Sequence, residues 1–179
     1  MSKELSEIPS GEAGRLIRHY KMERIPHEGA WFALRWVAER RVDEGRRAAG
    51  NAILALVTRE DFSALHRLGT DEIWHFHGGA AAELLLLHPG GRVERRRLGG
   101  NVFAGEEPQV VVPAGTWMGA RPAGAAADAY SFFGCTLAPG FDYAEYEPGY
   151  RDELRRGWPE AEAEIAALTR ADSVSRGGG

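Results

Sequence analysis

The chain has 179 residues, 44% of them hydrophobic, and carries 22 Lys and Arg against 26 Asp and Glu, a formal charge of −4. That length suits one domain burying about two-thirds of the surface its unfolded form exposes, and the mildly acidic balance gives no electrostatic footprint for nucleic acid or an anionic membrane. The single cysteine, Cys135, excludes an internal disulfide and any multi-cysteine zinc site.

Residues 1–10 are polar, lack the apolar core of a signal peptide and are expected to be flexible. No apolar run reaches bilayer-spanning length, so a cytoplasmic protein is expected. Residues 11–22 carry Leu16, Ile17 and Tyr20 at helical spacing, which predicts a short amphipathic helix that Pro26 cannot continue. Residues 31–37 are aromatic and β-branched and read as a strand; the charged run 39–47 reads as a loop. Short strands then follow at 52–58, 63–67, 72–77, 83–88, 92–98, 109–112, 116–120 and 129–136. Glycine and proline turns punctuate them, with Pro89-Gly90-Gly91 as a hairpin. Such spacing points to an all-β sandwich or barrel. After Pro139-Gly140 the chain turns helical, with acidic residues early in a helix over 160–169. Residues 11–170 form a single domain in this reading, and the polar tail 171–179 is expected to be disordered.

The densest chemistry lies in residues 65–79, Leu-His-Arg-Leu-Gly-Thr-Asp-Glu-Ile-Trp-His-Phe-His-Gly-Gly. Strand alternation puts Glu72, Trp74 and Phe76 on one face and Ile73, His75 and His77 on the other. With the first set inside, one carboxylate sits in an apolar pocket and its pKa rises unless a cation or donor offsets the desolvation. His66 and Arg67 are its expected partners. His75 and His77 then form a polar outer or dimer-facing pair. Arg46-Arg47 and Arg95-Arg96-Arg97 read as solvated faces, and Cys135, inside the apolar run 132–137, as a buried inert thiol.

His66, Glu72 and Gly79, followed by Pro113-Ala114-Gly115-Thr116-Trp117-Met118, resemble the two motifs of the cupins, a jelly-roll superfamily. Two metal ligands of that pattern are absent: Leu68 and Met118 stand where it carries histidines. A catalytic first-row metal needs three protein ligands as a rule, so no metal or other cofactor is expected. The strings 66–77, 108–117 and 134–142 and the closing Ile165-x-x-Leu168-Thr169 resemble one cupin group more narrowly, the cupin-5 family. Its fold is similar to the dTDP-sugar epimerases, and the match runs over residues 15–169. The chain departs from that family where Glu-Thr on the first strand is replaced by Leu34-Arg35, which removes an acidic group if the strand lines the pocket.

The resemblance implies a double-stranded β-helix, the cupin jelly-roll barrel, with short N- and C-terminal helices. It also implies a small polar ligand, such as a sugar or nucleotide-sugar, in the barrel of a homodimer whose contacts involve the N-terminal helix and first strand. The expected activity is a metal-independent epimerase, isomerase or lyase. His66 is its general base and Glu72 its partner, with ligand contacts from Arg67, Trp74, Phe76, Gln109, Trp117 and Met118. A non-catalytic small-molecule binder and a metal-dependent cupin enzyme are the alternatives. Tyr130 and Tyr143 could supply a phenolic proton, but the sequence does not place them inside.

Overall fold

The computed structural model describes residues 8–171 and residue 173. The first part of the expected flexible N-terminus, residues 1–7, and most of the expected polar tail, residues 172 and 174–179, lie outside the described residues.

Two antiparallel sheets face each other. The first is built from β1 (Glu23–Arg24), β2 (Trp31–Val37), β5 (Asn51–Thr58), β12 (Tyr130–Leu137), β7 (Glu72–Gly79) and β10 (Gln109–Val112), in that spatial order. The second runs β13 (Glu147–Pro148), β6 (Ser63–Arg67), β11 (Trp117–Pro122), β8 (Ala82–Leu87) and β9 (Val93–Leu98). A small separate hairpin, β3 (Arg41–Val42) with β4 (Arg47–Ala48), interrupts the charged run that reads as a loop in the sequence. Helix α1 (Gly11–Tyr20) precedes the sheets, and α2 (Arg151–Gly157) and α3 (Glu162–Ala167) follow them. The connectivity is that of an all-β jelly roll with small terminal helices.

Burial explains why the strands alternate where they do and fail to where they do not. The central core lies between the sheets and includes Trp74, Leu84, Leu86, Val110, Val112, Met118, Phe133 and Cys135. Helix α1 covers the outside of the first sheet, packing Ala13 and Ile17 against Trp31, Ala33 and Leu56. Helices α2 and α3 cover the outside of the second, packing Leu154 and Ile165 against Leu65, Leu85, Leu87 and Trp117. Leu84–Leu87 is therefore a continuous leucine run rather than an alternating one, because both of its faces are covered. By contrast β7 leaves its outer face partly open, and there His75 bonds Thr136 at 3.1 Å and Gln109 at 3.0 Å. Partial burial and the neighbouring His77 hold the His75 pKa below the ordinary histidine value. Strand β7 ends at Gly79, with φ 78°, a left-handed turn in which any side chain would meet the Tyr130 carbonyl.

Candidate active site in the barrel

A cavity of about 600 Å³ opens into the barrel, within the size range of small-molecule sites. Its inner wall comes from alternate residues of adjacent strands. Register places Trp74 of β7 opposite Cys135 of β12, and Glu72 opposite Leu137, so all four point inward. Phe133 stacks on Trp74 with ring centroids 4.6 Å apart. Ile53 and Ala55 of β5 and Phe32 and Leu34 of β2 extend the apolar wall. Polar groups enter this surface at a few places only.

His66 is one of them. It lies on the inner face of β6 and is 4% exposed. Its Nδ1 is 2.8 Å from the Ala64 carbonyl oxygen. A carbonyl can only accept, so in the neutral ring Nδ1 carries the proton and Nε2 presents a lone pair. Nε2 lies 3.8 Å from Oε2 of Glu28, which is buried in the turn between β1 and β2. The other oxygen of Glu28 accepts a 2.6 Å hydrogen bond from the Ser63 hydroxyl. Tyr146 stacks on the face of the imidazole, with centroids 5.6 Å apart and planes 23° from parallel.

Glu72 is the second buried acid. Desolvation pushes its pKa from 4.5 up to about 7, opposed by the His66 imidazole, reinforced by the Glu28 carboxylate and opposed again by donors from Trp74 and Cys135. The Trp74 indole N–H donates to Glu72 Oε2 at 2.8 Å. Burial, with Glu72 and Glu28 nearby, pushes the Cys135 thiol well above its usual range, which keeps it protonated and unreactive. Burial and the Glu28 carboxylate likewise raise the Tyr146 phenol, so it remains an O–H donor at neutral pH. One imidazole, two carboxyls and one phenol thus share a largely apolar floor where the Glu72 carboxyl is partly protonated near pH 7.

At the rim the chain is held by Arg47 of β4, which is 8% exposed. Its guanidinium donates to the Gly140 carbonyl at 2.5 and 3.0 Å, to Thr70 Oγ1 at 2.9 Å and to Glu145 at 2.7 Å. These bonds tie the β3–β4 hairpin to the segment after β12, where Phe141, Asp142 and Tyr143 border the opening.

Of the residues expected to serve as base, acid partner or ligand contact, His66, Glu72 and Trp74 line the cavity. Strand parity turns Arg67, Trp117 and Gln109 outward, whereas Phe76 and Met118 face inward but lie beyond the cavity. Arg67 is next to His66 and therefore faces outward, paired with Glu147 at 2.8 Å and lying 4.7 Å over the Trp117 ring. Trp117 shares that outer face beneath the C-terminal helices, whereas its neighbour Met118 points into the central core without reaching the cavity. Gln109 is exposed and bonded to His75 outside the barrel. Phe76 packs at the edge of the central core, away from the cavity.

The sequence reading missed Glu28, Tyr146 and Arg47. Leu34 does line the cavity at its mouth, so the position of the lost acidic group is apolar, but Glu28 brings a carboxylate in from the preceding turn. The signal for it was present, a glutamate beside a glycine turn at 26–29. Tyr146 had no comparable signal, because only the return of β13 alongside β6 puts it against His66. Arg47, whose sequence context reads as a solvated face, is instead buried by its bonds to Gly140, Thr70 and Glu145.

The donor set does not fit a resident metal. Leu68 and Met118 are buried among apolar groups, and among the described residues no three of His, Cys, Asp and Glu converge in a way that could hold a metal ion.

Among curated proteins none matches this chain. A solved hypothetical protein from Leishmania major is 30% identical and superposes with a TM-score of 0.80, covering 89% of this chain and 99% of its own. A Shewanella oneidensis protein is 28% identical at a TM-score of 0.83, with 90% and 99% covered. A cupin 2 conserved barrel domain protein from Rhodopseudomonas palustris, 16% identical at a TM-score of 0.54 over 83% and 87%, shows a common fold alone. The family model described as Cupin superfamily (DUF985) matches residues 14–148, and with the jelly-roll sheets around the His66 cavity the chain belongs to that family.

Proposed function

We propose that this cupin binds a small polar or sugar-like ligand in its barrel and transfers a proton on it without a metal, as an epimerase, isomerase or lyase. The observation that carries this reading is the His66 ring, oriented by the Ala64 carbonyl so that a bare Nε2 meets a cavity containing a raised-pKa acid. In the reaction Nε2 takes a proton from a carbon acid on the ligand. Glu28, 3.8 Å away, stabilises the imidazolium that results. Glu72 in its protonated form and the Tyr146 hydroxyl are the groups able to return a proton. Trp74 and Phe133 supply a flat apolar surface for the body of the ligand. Fold alone does not fix activity; the support here comes from the paired base and acids.

The test is solvent exchange. The protein is incubated in D₂O with uronic acids, keto sugars and 2-hydroxy acids, and deuterium incorporation is followed by NMR. Exchange into a ligand C–H is expected, falling by roughly 10²-fold or more in His66→Gln with the fold retained. Undiminished exchange in that variant would remove His66 from the chemistry. Saturable binding with no exchange across the panel would reduce the protein to a binding module.

A further inference from the structure

The charges lining the cavity are sorted by depth. The acids Glu28 and Glu72 lie on the floor, and three arginines, Arg41, Arg46 and Arg47, line the outer part. Arg47 is fully engaged by Gly140, Thr70 and Glu145. Arg41 and Arg46 are exposed, and among the described residues no carboxylate comes within ion-pairing distance of either. Among the described residues the Arg46 guanidinium donates only to the backbone carbonyl of Asp43, at 3.2 Å. Both belong to the β3–β4 hairpin, whose turn has three successive left-handed residues, Asp43, Glu44 and Gly45. The bonds of Arg47 hold that hairpin against the rim. Between rim and floor runs an aromatic path: Phe141 lies 6.4 Å from Tyr146, and Tyr146 is stacked on His66.

We propose that Arg41 and Arg46 form an anion-binding rim, and that the ligand is an amphiphilic anion. Its carboxylate or phosphoryl end rests on the two guanidiniums, and its apolar or ring body runs along Phe141 and Tyr146 toward His66. Guanidinium forks recognise both oxyanions through paired N–H donors. The acidic floor disfavours the same anion at depth, so the molecule enters in one orientation with its reactive end on the imidazole. Asp142, also at the rim, has its carboxylate engaged by the Ala144 N–H at 2.9 Å. This inference takes the cavity as the ligand site, as the proposed function does, but does not require that any chemistry occur there.

Isothermal titration at low ionic strength tests it with three probes of similar shape: phenyl phosphate, phenylacetate and neutral phenylacetamide. At least one anion should bind the wild-type protein about tenfold more tightly than phenylacetamide, the gain expected from charge-assisted bonds at an exposed rim. The tighter of the two identifies phosphoryl or carboxylate as the preferred group. The preference should vanish in Arg41→Gln/Arg46→Gln with phenylacetamide binding unchanged, and should persist in His66→Gln. Equal binding of charged and neutral probes, no binding of any probe, or a preference that survives the double substitution would each overturn the proposal. An intact anion preference with no deuterium exchange would sink the proton-transfer reading alone and leave the rim standing.

Discussion

A buried carboxyl whose pKa rises to about 7 makes the stability of the fold depend on pH, and the sign follows from proton counting. Glu72 has a reference value of 4.5 and a folded value near 7. Between those limits the folded state binds more protons than the unfolded one, so stability falls as pH rises through that window. The full penalty above pH 7 is on the order of 3 kcal/mol. Glu72→Gln keeps an acceptor for the Trp74 indole while removing the titration. We therefore expect its Tm to exceed that of the wild type at pH 8 and to converge with it at pH 4.5. A difference that is the same at both pH values would show that Glu72 does not titrate in this window. Parity also decides what was legible at this scale. Glu72 could be assigned to the barrel interior because alternation along β7 is regular, and His66 through its place in the cupin motif. The same rule, applied to the pairs 66/67 and 117/118, forbids Arg67 from sharing the cavity with His66 and Trp117 from facing the same way as Met118. The contacts of Glu28 and Tyr146 depend on segments far apart in the chain, and no local period reveals them.

Strands are the elements the sequence specifies best, since turn residues bound them and a covered inner face fixes their register. The β3–β4 hairpin was the exception. Its charged run 39–47 has the composition of a loop, and its order comes from Arg47 reaching the Gly140 carbonyl across 93 residues of chain. Replacing Arg47 with Met removes those donors while retaining much of the side-chain volume. The cost should be about 1–3 kcal/mol, moderated because Glu145 is partly exposed and can rehydrate. Thermal unfolding should register that loss, and hydrogen exchange should quicken at residues 41–48 while the strands of the second sheet stay protected. Because the hairpin carries Arg41 and Arg46, the same substitution should weaken phenyl phosphate or phenylacetate binding without touching either arginine. Unchanged exchange at 41–48 would show that the hairpin is ordered independently of this strut. Helix α1 belongs to the same scale: Ile17 is 1% exposed against Trp31 and Leu56, so Ile17→Ala should cost about 2–5 kcal/mol by equilibrium denaturation.

At the level of the whole molecule the helices leave one margin of the first sheet uncovered. Strand β1 pairs only with Trp31 and Phe32 of β2, and among the described residues no strand continues that pairing along residues 33–37. The same segment exposes Leu34, Trp36 and Val37. An open strand edge bearing apolar side chains invites association, and a second copy of the chain is the occupant we expect, in a closed dimer with two-fold symmetry. Leu34 and Val37 also line the cavity mouth, so a partner on this edge would narrow the entrance and shield the Arg41 and Arg46 rim from bulk salt. Trp36 does not line the cavity; it packs over Gly50. Trp36→Glu should therefore give a monomer by light scattering while each barrel keeps its floor intact. Probe binding should survive in that monomer but become more sensitive to ionic strength, as expected of arginines that have lost their cover. A wild-type protein with the mass of one chain, or a Trp36→Glu dimer as tight as the wild type, would place the contact elsewhere or remove it. A salt dependence unchanged on dissociation would mean that the rim works within one barrel and owes nothing to a second.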